Sequence, residues 1–248
     1  MTVTFVGAGP GDPMLLTEAA RRALVAAEVV VYDRPSADAI VALAPPDAER
    51  RCVGRAPGRR ALSQGDVNAL LVALAGDGRA VVRLKSGDPF VASRGGEEAR
   101  ALRAAGVAVR VVPGVSSALG APAVAGIPLM LRQLSVTATI VDGNDDPEHG
   151  TPPDWDLLAR LGGTLVILTG RGRIRRIAAR LIAGGLAPDT PVAAISAGTR
   201  PEQRVLRGTL DALPAPLPPP VTFVVGAVAA LDLTGGAAPA QGAVHAHP

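Results

Sequence analysis

Short apolar runs alternate with segments of helical periodicity in the first half of the chain. This pattern predicts strands over residues 2–6, 29–32, 52–53, 80–84 and 107–112, and helices over residues 15–27, 63–75, 96–105 and 116–124. Strands rich in β-branched residues that alternate with amphipathic helices are typical of a parallel sheet covered by helices. We therefore expect an α/β fold with a mainly parallel sheet in this half.

The second half has shorter apolar runs and more threonine. Its pattern predicts strands over residues 134–141, 164–168, 192–195, 203–208 and 221–225, with helices over residues 155–161 and 174–183. Short, threonine-rich strands of this kind favour a mixed sheet. We place a domain boundary near Pro113, which predicts an N-terminal α/β domain over 1–113 and a C-terminal α/β domain over 114–234. Residues 235–248 have no periodic order and are predicted to be a disordered tail.

The composition narrows the kind of core and the compartment. The chain is 48% hydrophobic but only 2% aromatic, so its core must consist of Val, Leu, Ile and Ala. Cys52 is the only cysteine and no signal-peptide pattern is seen at the N-terminus, which predicts a cytoplasmic location. Two uncharged segments, 111–131 and 212–231, approach the length of a membrane span, but prolines and glycines interrupt both. No membrane association is expected.

Almost all of the positive charge is arginine. The formal net charge is +3, and Lys85 is the only lysine among 25 basic residues. A coding bias toward arginine explains this, and an acidic substrate is a compatible explanation because a guanidinium group can bind a carboxylate through two hydrogen bonds. The basic residues do not form a stripe interleaved with aromatic residues, so a nucleic-acid partner is not expected.

A glycine-rich loop follows the first predicted strand. Gly7, Gly9 and Gly11 would let the backbone turn tightly and approach a ligand closely. The fingerprint of dinucleotide-binding oxidoreductases requires a glycine at the position of Asp12, and Pro10 interrupts the same loop. We therefore reject a nicotinamide-dependent oxidoreductase. A plain strand-to-helix turn remains an alternative.

A second motif comprises residues 83–90 and 93–98, from the end of the strand predicted over residues 80–84 into the helix predicted over residues 96–105. Open α/β sheets bind ligands at the carboxyl ends of their strands, and Asp88 there could receive a ligand hydroxyl or ammonium group. Arg94 could meet an acidic substrate. Glu97 and Glu98 fall in the first turn of a helix, where negative charge is favourable, and we prefer this role for at least one of them.

A third loop runs from Val112 through Pro-Gly into Ser116 and Ser117. The two hydroxyl groups could cap the helix that follows, or they could contact a ligand. Capping is the default interpretation when the motif is considered alone.

Together and in this order, these motifs resemble the tetrapyrrole methylases, and most of all the branch that methylates carbon atoms of uroporphyrinogen III. The resemblance extends from about Val3 to Leu231. The stretches that carry it are VGAGPGDPMLLT, VVVYDR, QGDVNALL, VVRLKSGDPF, RGGEEA, VVPGVSSA, AGIPL, PDW, TLVIL and AGTRPEQRV.

The resemblance implies a fold and an activity. It implies two α/β domains of the class III methyltransferase type, with S-adenosylmethionine held in the cleft between them, in a homodimer. The implied activity is two methyl transfers to uroporphyrinogen III, which yield precorrin-2 for cobalamin or sirohaem biosynthesis and release S-adenosylhomocysteine.

The resemblance also implies roles for individual residues. Asp33 matches an acid proposed to help remove a proton, which requires its basicity to be raised; otherwise it caps a turn or pairs with Arg34. Arg55 stands at the position of a proposed lysine proton donor. The implied substrate-binding residues are Arg34, Arg59, Arg94 and Arg132, with Arg60 as a further candidate. The implied cofactor contacts are Pro10, Ser86, Gly87, Asp88, Val91, Ser116, Ser117, Thr169, Gly198, Val221 and Thr222.

Several positions depart from the family pattern on the side implied for the substrate. Arg55 replaces the lysine, and an arginine binds anions but donates a proton poorly. Met130 and Leu131 replace a Thr-His pair, and Asn144 replaces a histidine. Two alternatives therefore stay open. One is a methylase of another precorrin or of a different substrate, and the other is a non-catalytic protein that binds the cofactor or a porphyrin.

Overall fold

The computed structural model describes residues 1–33, 37–54, 58, 60–144 and 152–235. Arg34, Arg55 and Arg59 lie outside the described residues, as does the predicted disordered tail beyond Gly235. The chain forms two compact units. The first comprises residues 1–120 with 199–202, and the second comprises residues 121–198 with those from Gln203 onward. The domain bounds drawn from the sequence stay a prediction.

The sheet of the first unit is parallel throughout. Its strands lie in the order β3-β2-β4-β1-β5, and every neighbouring pair is parallel. The elements are β1 Thr2–Gly7, α1 Glu18–Val25, β2 Val29–Tyr32, α2 Asp38–Val41, β3 Glu49–Cys52, α3 Gln64–Gly76, β4 Val81–Lys85, α4 Gly95–Ala104 and β5 Ala108–Val112. The next helix, α5 Ser117–Val124, begins in this unit, and its residues from Ala121 onward belong to the second. The predicted parallel sheet is confirmed.

Helices cover both faces of this sheet. On one face, Leu24 of α1 packs with Val6 and Val30. On the other face, Leu71 of α3 and Leu102 of α4 pack with a separate set of strand residues that includes Phe5. A fully buried leucine contributes about 1.5–3 kcal/mol relative to an exposed one, so these two aliphatic layers hold the sheet in place.

Two predictions in this unit were wrong in their bounds. The first helix begins at Glu18, because the Thr17 side chain accepts a hydrogen bond from the Ala20 amide at 3.2 Å and so caps the helix there. Strand β3 is longer than predicted and carries the charged residues Glu49, Arg50 and Arg51. It lies at the edge of the sheet, where its side chains do not need to be apolar.

The second unit contains the predicted mixed sheet. Its strand order is β6-β7-β10-β8-β9; β6 and β7 are parallel, and the other neighbouring pairs are antiparallel. The elements are β6 Ala138–Asp142, α6 Trp155–Leu161, β7 Thr164–Leu168, α7 Ile174–Ala183, β8 Pro191–Ser196, β9 Arg204–Thr209 and β10 Val221–Val225. β6 begins later than predicted, because Leu131 and Ser135 close a turn through two backbone hydrogen bonds of 2.9 Å.

The core of the second unit is apolar and centres on Ile167, Leu181 and Phe223, with Trp155 of α6 packed against them. Within the described ranges, we find no helix of sufficient length and hydrophobicity to cross a membrane.

Candidate active site

Three loops meet at the carboxyl edge of the first sheet. After β1 the chain crosses toward the β3 side of the sheet, and after β4 it crosses toward the β5 side. Because β1 and β4 are neighbouring strands, a topological switch point lies between them. The loops after these strands are joined by hydrogen bonds from the Gly9 amide to the Gly87 carbonyl at 3.1 Å and from the Gly87 amide to the Gly9 carbonyl at 2.8 Å. The positive φ of Gly9 (72°) and Gly87 (65°) is the backbone conformation that favours glycine.

The loop after β5 joins the other two through close contact of backbone atoms. A Cβ atom on Gly7 would lie 2.5 Å from the Gly114 Cα, and a Cβ atom on Gly114 would lie 2.4 Å from the Gly87 carbonyl oxygen. Neither position can hold a side chain without moving the backbone. The sequence signal for the site, glycine after three successive strands of the edge, therefore reflects a real requirement for close approach.

Asp88 fastens two of these loops together. Its Oδ1 accepts a hydrogen bond from the Phe90 amide at 2.8 Å, and its Oδ2 accepts one from the Gly114 amide at 3.2 Å. Asp88 therefore has a structural role in addition to the role of receiving a ligand that the sequence led us to expect. A carboxylate has further acceptor positions, so the two roles are compatible.

Small residues surround this edge. Ser86 is exposed, Ser117 is half-buried and Ser116 is buried. The Ser116 hydroxyl oxygen accepts a hydrogen bond from the Ala118 amide at 3.2 Å, which is a helix-capping contact. Pro10 is buried against Gly120, where an added Cβ would lie 2.9 Å from the Pro10 Cγ. The first unit thus brings together Pro10, Ser86, Gly87, Asp88, Ser116 and Ser117.

The segment between Asp88 and α4 has strained backbone. Ala92 (φ 50°) and Arg94 (φ 56°) adopt the left-handed conformation, which costs a non-glycine residue on the order of 1–3 kcal/mol and is found mainly at functional sites. The Arg94 side chain is exposed on this segment and Val91 is half-buried. Arg60 is exposed before α3. Glu97 is exposed in the first turn of α4, as expected of a charge that favours the helix start.

Asp33 directly follows β2 and is held by two cations. Its Oδ1 pairs with the Arg83 guanidinium, and its Oδ2 lies 3.1 Å from the Lys85 Nζ. Burial by itself would raise the pKa of Asp33, but the charges and hydrogen bonds of Arg83 and Lys85 outweigh it and hold the pKa below its ordinary value. The raised basicity that a proton-abstracting role requires is absent. Gly54 packs against the Asp33 carbonyl oxygen, which would be 1.5 Å from an added Cβ.

Sequence reasoning missed the residues behind Asp33. Arg83, Lys85 and Glu98 are buried, with 1%, 3% and 1% of their surfaces exposed. The available signal was the placement of two charged residues in an otherwise apolar central strand, because such side chains are rarely buried without a partner. The identity of the partner, Glu98 of α4, depends on tertiary packing.

The second unit brings four of the sequence-predicted residues to one edge of its own sheet. β7 and β8 end at this edge, and β10 begins there because it is antiparallel to both. Thr169 follows β7 with a φ of 56°, and its hydroxyl donates to Asp142 Oδ1. In the β10–β8 pair, Val221 lies opposite Ser196 and Thr222 lies opposite Ile195. Gly198 follows shortly after the end of β8.

Arg132 is not part of that edge. It is exposed in the turn closed by Leu131 and Ser135, and the Ser135 hydroxyl accepts a hydrogen bond from Thr164 at the start of β7 at 2.9 Å. The turn therefore lies at the opposite edge of this sheet from Thr169. Asn144, which stands where a histidine was expected, accepts a hydrogen bond from Arg173.

The parallel sheet has glycine loops at its switch point and is followed by a mixed sheet, so the chain is an α/β protein of the class that usually binds ligands at the carboxyl edge of its parallel strands. The family described as Tetrapyrrole (Corrin/Porphyrin) Methylases matches residues 2–214. The chain belongs to this family.

Two relatives show how far the similarity extends. The chain is 48% identical over 209 residues to "S-adenosyl-L-methionine-dependent uroporphyrinogen III methyltransferase" of Methanosarcina barkeri, covering 84% of this chain and 82% of that protein. It is 47% identical over 232 residues to "Siroheme synthase 1" of Cronobacter sakazakii, covering 92% of this chain but 49% of that protein. The chain thus spans about half the length of such siroheme synthases.

A solved structure agrees with the fold. Uroporphyrin-III C-methyl transferase from Thermus thermophilus, complexed with S-adenyl homocysteine, has a TM-score of 0.81 and 39% sequence identity, and the match covers 92% of this chain and 98% of that one. The predicted fold class and the predicted resemblance are both confirmed.

Proposed function

We propose that this chain transfers methyl groups from S-adenosylmethionine to ring carbon atoms of uroporphyrinogen III and forms precorrin-2 after two transfers. The observation that carries the proposal is the meeting of three glycine loops at the switch point of the first sheet, in a chain that is 48% identical to a uroporphyrinogen III methyltransferase. The product would enter cobalamin or sirohaem biosynthesis.

The residues at the first sheet's edge fit a methyl donor with an adenosine group. Gly7, Gly87 and Gly114 let the three loops pack closely at this edge, and Ser86 and Ser117 offer small hydroxyl groups beside them. Pro10, Asp88, Val91 and Ser116 complete the proposed set there, and Thr169, Gly198, Val221 and Thr222 are the proposed contacts from the second unit. When bound, the donor supplies a methyl group activated by a sulfonium centre.

The charged residues have separate proposed roles. Asp33 is an ionised carboxylate at the edge of the sheet, suited to stabilise positive charge. The exposed side chains of Arg94 and Arg132 are proposed to bind substrate carboxylates, and the same role is proposed for Arg34 and Arg59. For Arg55 we propose anion binding near the reacting ring, because an arginine holds its proton at any working pH.

Product identification tests the proposal directly. The purified chain is incubated without oxygen with uroporphyrinogen III and S-adenosylmethionine that carries an isotope label in its methyl group. We expect a product with two labelled methyl groups in its mass spectrum. Saturable binding of the donor without label in any macrocycle would instead identify a non-catalytic binding protein.

A methylase of another precorrin is the second candidate. The observation that favours it is Asn144, whose side-chain oxygen is occupied by Arg173 at a position where the family commonly has a histidine. Label that enters a later precorrin but not uroporphyrinogen III would select this candidate.

We also propose a cytoplasmic homodimer. Family membership supports it, and so does a group of exposed apolar side chains around the start of β6, namely Met130, Leu134, Val136 and Ile140. Exposed apolar patches are common at protein interfaces. Light scattering coupled to size-exclusion chromatography tests the dimer, and a monomeric mass at micromolar concentration would contradict it.

A further inference from the structure

Four charged groups form a connected cluster behind the carboxyl edge of the first sheet. Glu98 Oε2 accepts a hydrogen bond from Arg83 Nε at 2.8 Å, and Glu98 Oε1 accepts one from Arg83 Nη2 at 2.9 Å. Lys85 Nζ lies 3.1 Å from Glu98 Oε1 and 3.1 Å from Asp33 Oδ2. Arg83 also donates to Asp33 Oδ1. Two cations therefore bridge two carboxylates, and the cluster has no net charge.

The polar atoms of Arg83 are fully used. Nη1 donates to the carbonyl groups of Val31 and Leu84, both at 3.4 Å, so all five N–H groups of the guanidinium have acceptors. Gln64 of α3 donates its side-chain amide to Glu98 at 3.3 Å. The position of each group is therefore determined by several neighbours.

Exposure is unevenly distributed over the cluster. The side chains of Arg83, Glu98 and Lys85 are 1%, 1% and 4% exposed, whereas that of Asp33 is 31% exposed. Three buried groups thus support one carboxylate that reaches the surface of the unit. Burying charges costs several kcal/mol per ion, and apolar replacements of similar volume are often as stable. Stability alone does not account for this arrangement.

We infer that Glu98 and Lys85 are positioning residues for methyl transfer, because together with Arg83 they hold Asp33 as a fixed carboxylate at the carboxyl edge of the sheet. The inference rests on the proposed function and deepens it. Both oxygens of Asp33 are paired with cations, which favours its ionised form and makes it a weak base, so its role is electrostatic, and proton abstraction is left to water.

The reaction has a clear use for a fixed carboxylate. The C–S bond of the donor breaks with its electron pair remaining on sulfur, and the methyl group bonds to a ring carbon through a π-electron pair of the macrocycle. The positive charge moves from sulfur to the ring, and a proton later leaves the ring to water. A carboxylate whose position is set before the reaction stabilises the cationic ring without reorganising.

The charged groups that face Asp33 in the described residues are Arg83 and Lys85 of β4, and Glu98 of α4 lies behind both. Lys85→Gln removes one cation, so Asp33 should titrate about one pH unit higher, and the acid limb of kcat should rise equally. Glu98→Gln removes the opposing anion, so neither the pH at which Asp33 titrates nor the acid limb of kcat should rise. The double variant keeps Arg83 with Asp33 and should return both values toward those of the wild type.

The experiment measures two quantities in these proteins. Carbon-13 NMR of the aspartate carboxyl groups, assigned with Asp33→Asn, gives the titration of Asp33 without any ligand, and initial rates give kcat against pH. We expect a fall in kcat of about tenfold or more for each single variant, with partial recovery in the double variant. Glu18→Gln, which breaks the exposed pair with Arg22, is the matched control and should change neither quantity.

The outcomes separate the two hypotheses. Identical Asp33 titrations and kcat profiles in all variants, with only the melting temperature changed, would overturn the inference and leave a structural cluster. A shifted Asp33 titration with an unshifted kcat profile would also overturn it. No methylated product from the wild type, despite the expected Asp33 titration, would overturn the proposed function itself. Should Lys85→Gln fail to fold, Asp33→Asn tests the same role, and unchanged kcat in that variant would contradict it.

Discussion

The two sheets of the molecule differ in the kind of polar side chain that is buried with them. Among the described residues, the buried charged side chains Arg83, Lys85 and Glu98 all lie in the first unit, within or against its parallel sheet. The second unit buries hydroxyl groups, such as those of Thr164 and Ser196, in an otherwise apolar core.

The difference follows from topology. In a parallel sheet every strand ends at the same edge, so the chain can deliver several loops and charges to one place. In the mixed sheet of the second unit, β10 runs opposite to its neighbours, so the edge that carries Thr169 receives the start of one strand together with the ends of others. The buried charges among the described residues therefore lie at the parallel sheet, whereas the edge of the mixed sheet that carries Thr169 has exposed polar groups such as Asp142.

The largest expected effect concerns the apolar core of the second unit. Leu181 of α7 is fully buried, and Leu181→Ala should lower the free energy of unfolding by about 3 kcal/mol, because it leaves a cavity. Chemical denaturation monitored by circular dichroism measures this. Leu157→Ala on α6 is the control, since that side chain is 55% exposed and should change stability by less than about 0.5 kcal/mol. Equal losses would show that the core is misassigned.

The next effect concerns the backbone contact of the three loops. Gly114→Ala places a Cβ atom 2.4 Å from the Gly87 carbonyl oxygen, so the loops must separate. We expect the affinity for S-adenosylmethionine to fall by about a hundredfold in calorimetry, because misplacement of the binding groups by about 1 Å has effects of that size. Gly76→Ala, which meets no atom within 4 Å, should bind the donor normally. Unchanged binding by Gly114→Ala would remove the basis of the proposed site.

A smaller effect is expected from the residue that fastens these loops. Asp88→Ala removes the acceptors for the Phe90 and Gly114 amides, which should weaken donor binding by about tenfold while the fold remains intact. Calorimetry and circular dichroism measure the two properties. Asp77→Ala, an exposed residue at the end of α3, serves as control. If both variants bound the donor equally well, Asp88 would have no role in shaping the edge.

The smallest effect is on acid stability. The pKa of Asp33 is lowered in the folded state, so the stability that its ionised form contributes is present at neutral pH and is lost as the pH falls below about 4. Asp33→Asn should therefore show a shallower decline of melting temperature below that pH than the wild type. Parallel declines in the two proteins would indicate that Asp33 titrates alike when folded and unfolded.

Much of the fold could be predicted because its strands are apolar and its helices amphipathic. The bounds of β2, α6, β7, α7 and β10 agree with the predicted ranges. The start of strand β3 could not be located because Glu49, Arg50 and Arg51 carry no apolar period, and the strand forms by pairing with β2. Helix α2 has four residues, too few to show a period.

The candidate site was predictable where it depends on glycine and not where it depends on pairing. Glycines after strands signal close backbone approach, and Gly7, Gly87 and Gly114 meet as that signal suggests. The partners of Asp33 are separated from it by 50 residues or more, and hydrogen bonds across such distances leave no local pattern. The partner of Arg83 and Lys85 is therefore set by tertiary packing, in which α4 places Glu98 against both.

Because Gly7, Gly87 and Gly114 touch through main-chain atoms and Asp88 bonds to main-chain amides, the frame of the edge does not depend on exposed side chains such as those of Ser86 and Arg94. Replacements at neighbouring positions such as Ser86 or Arg94 can alter what is recognised while leaving the scaffold undisturbed. A lineage that carries this frame can diversify its substrates by exchanging rim residues one at a time.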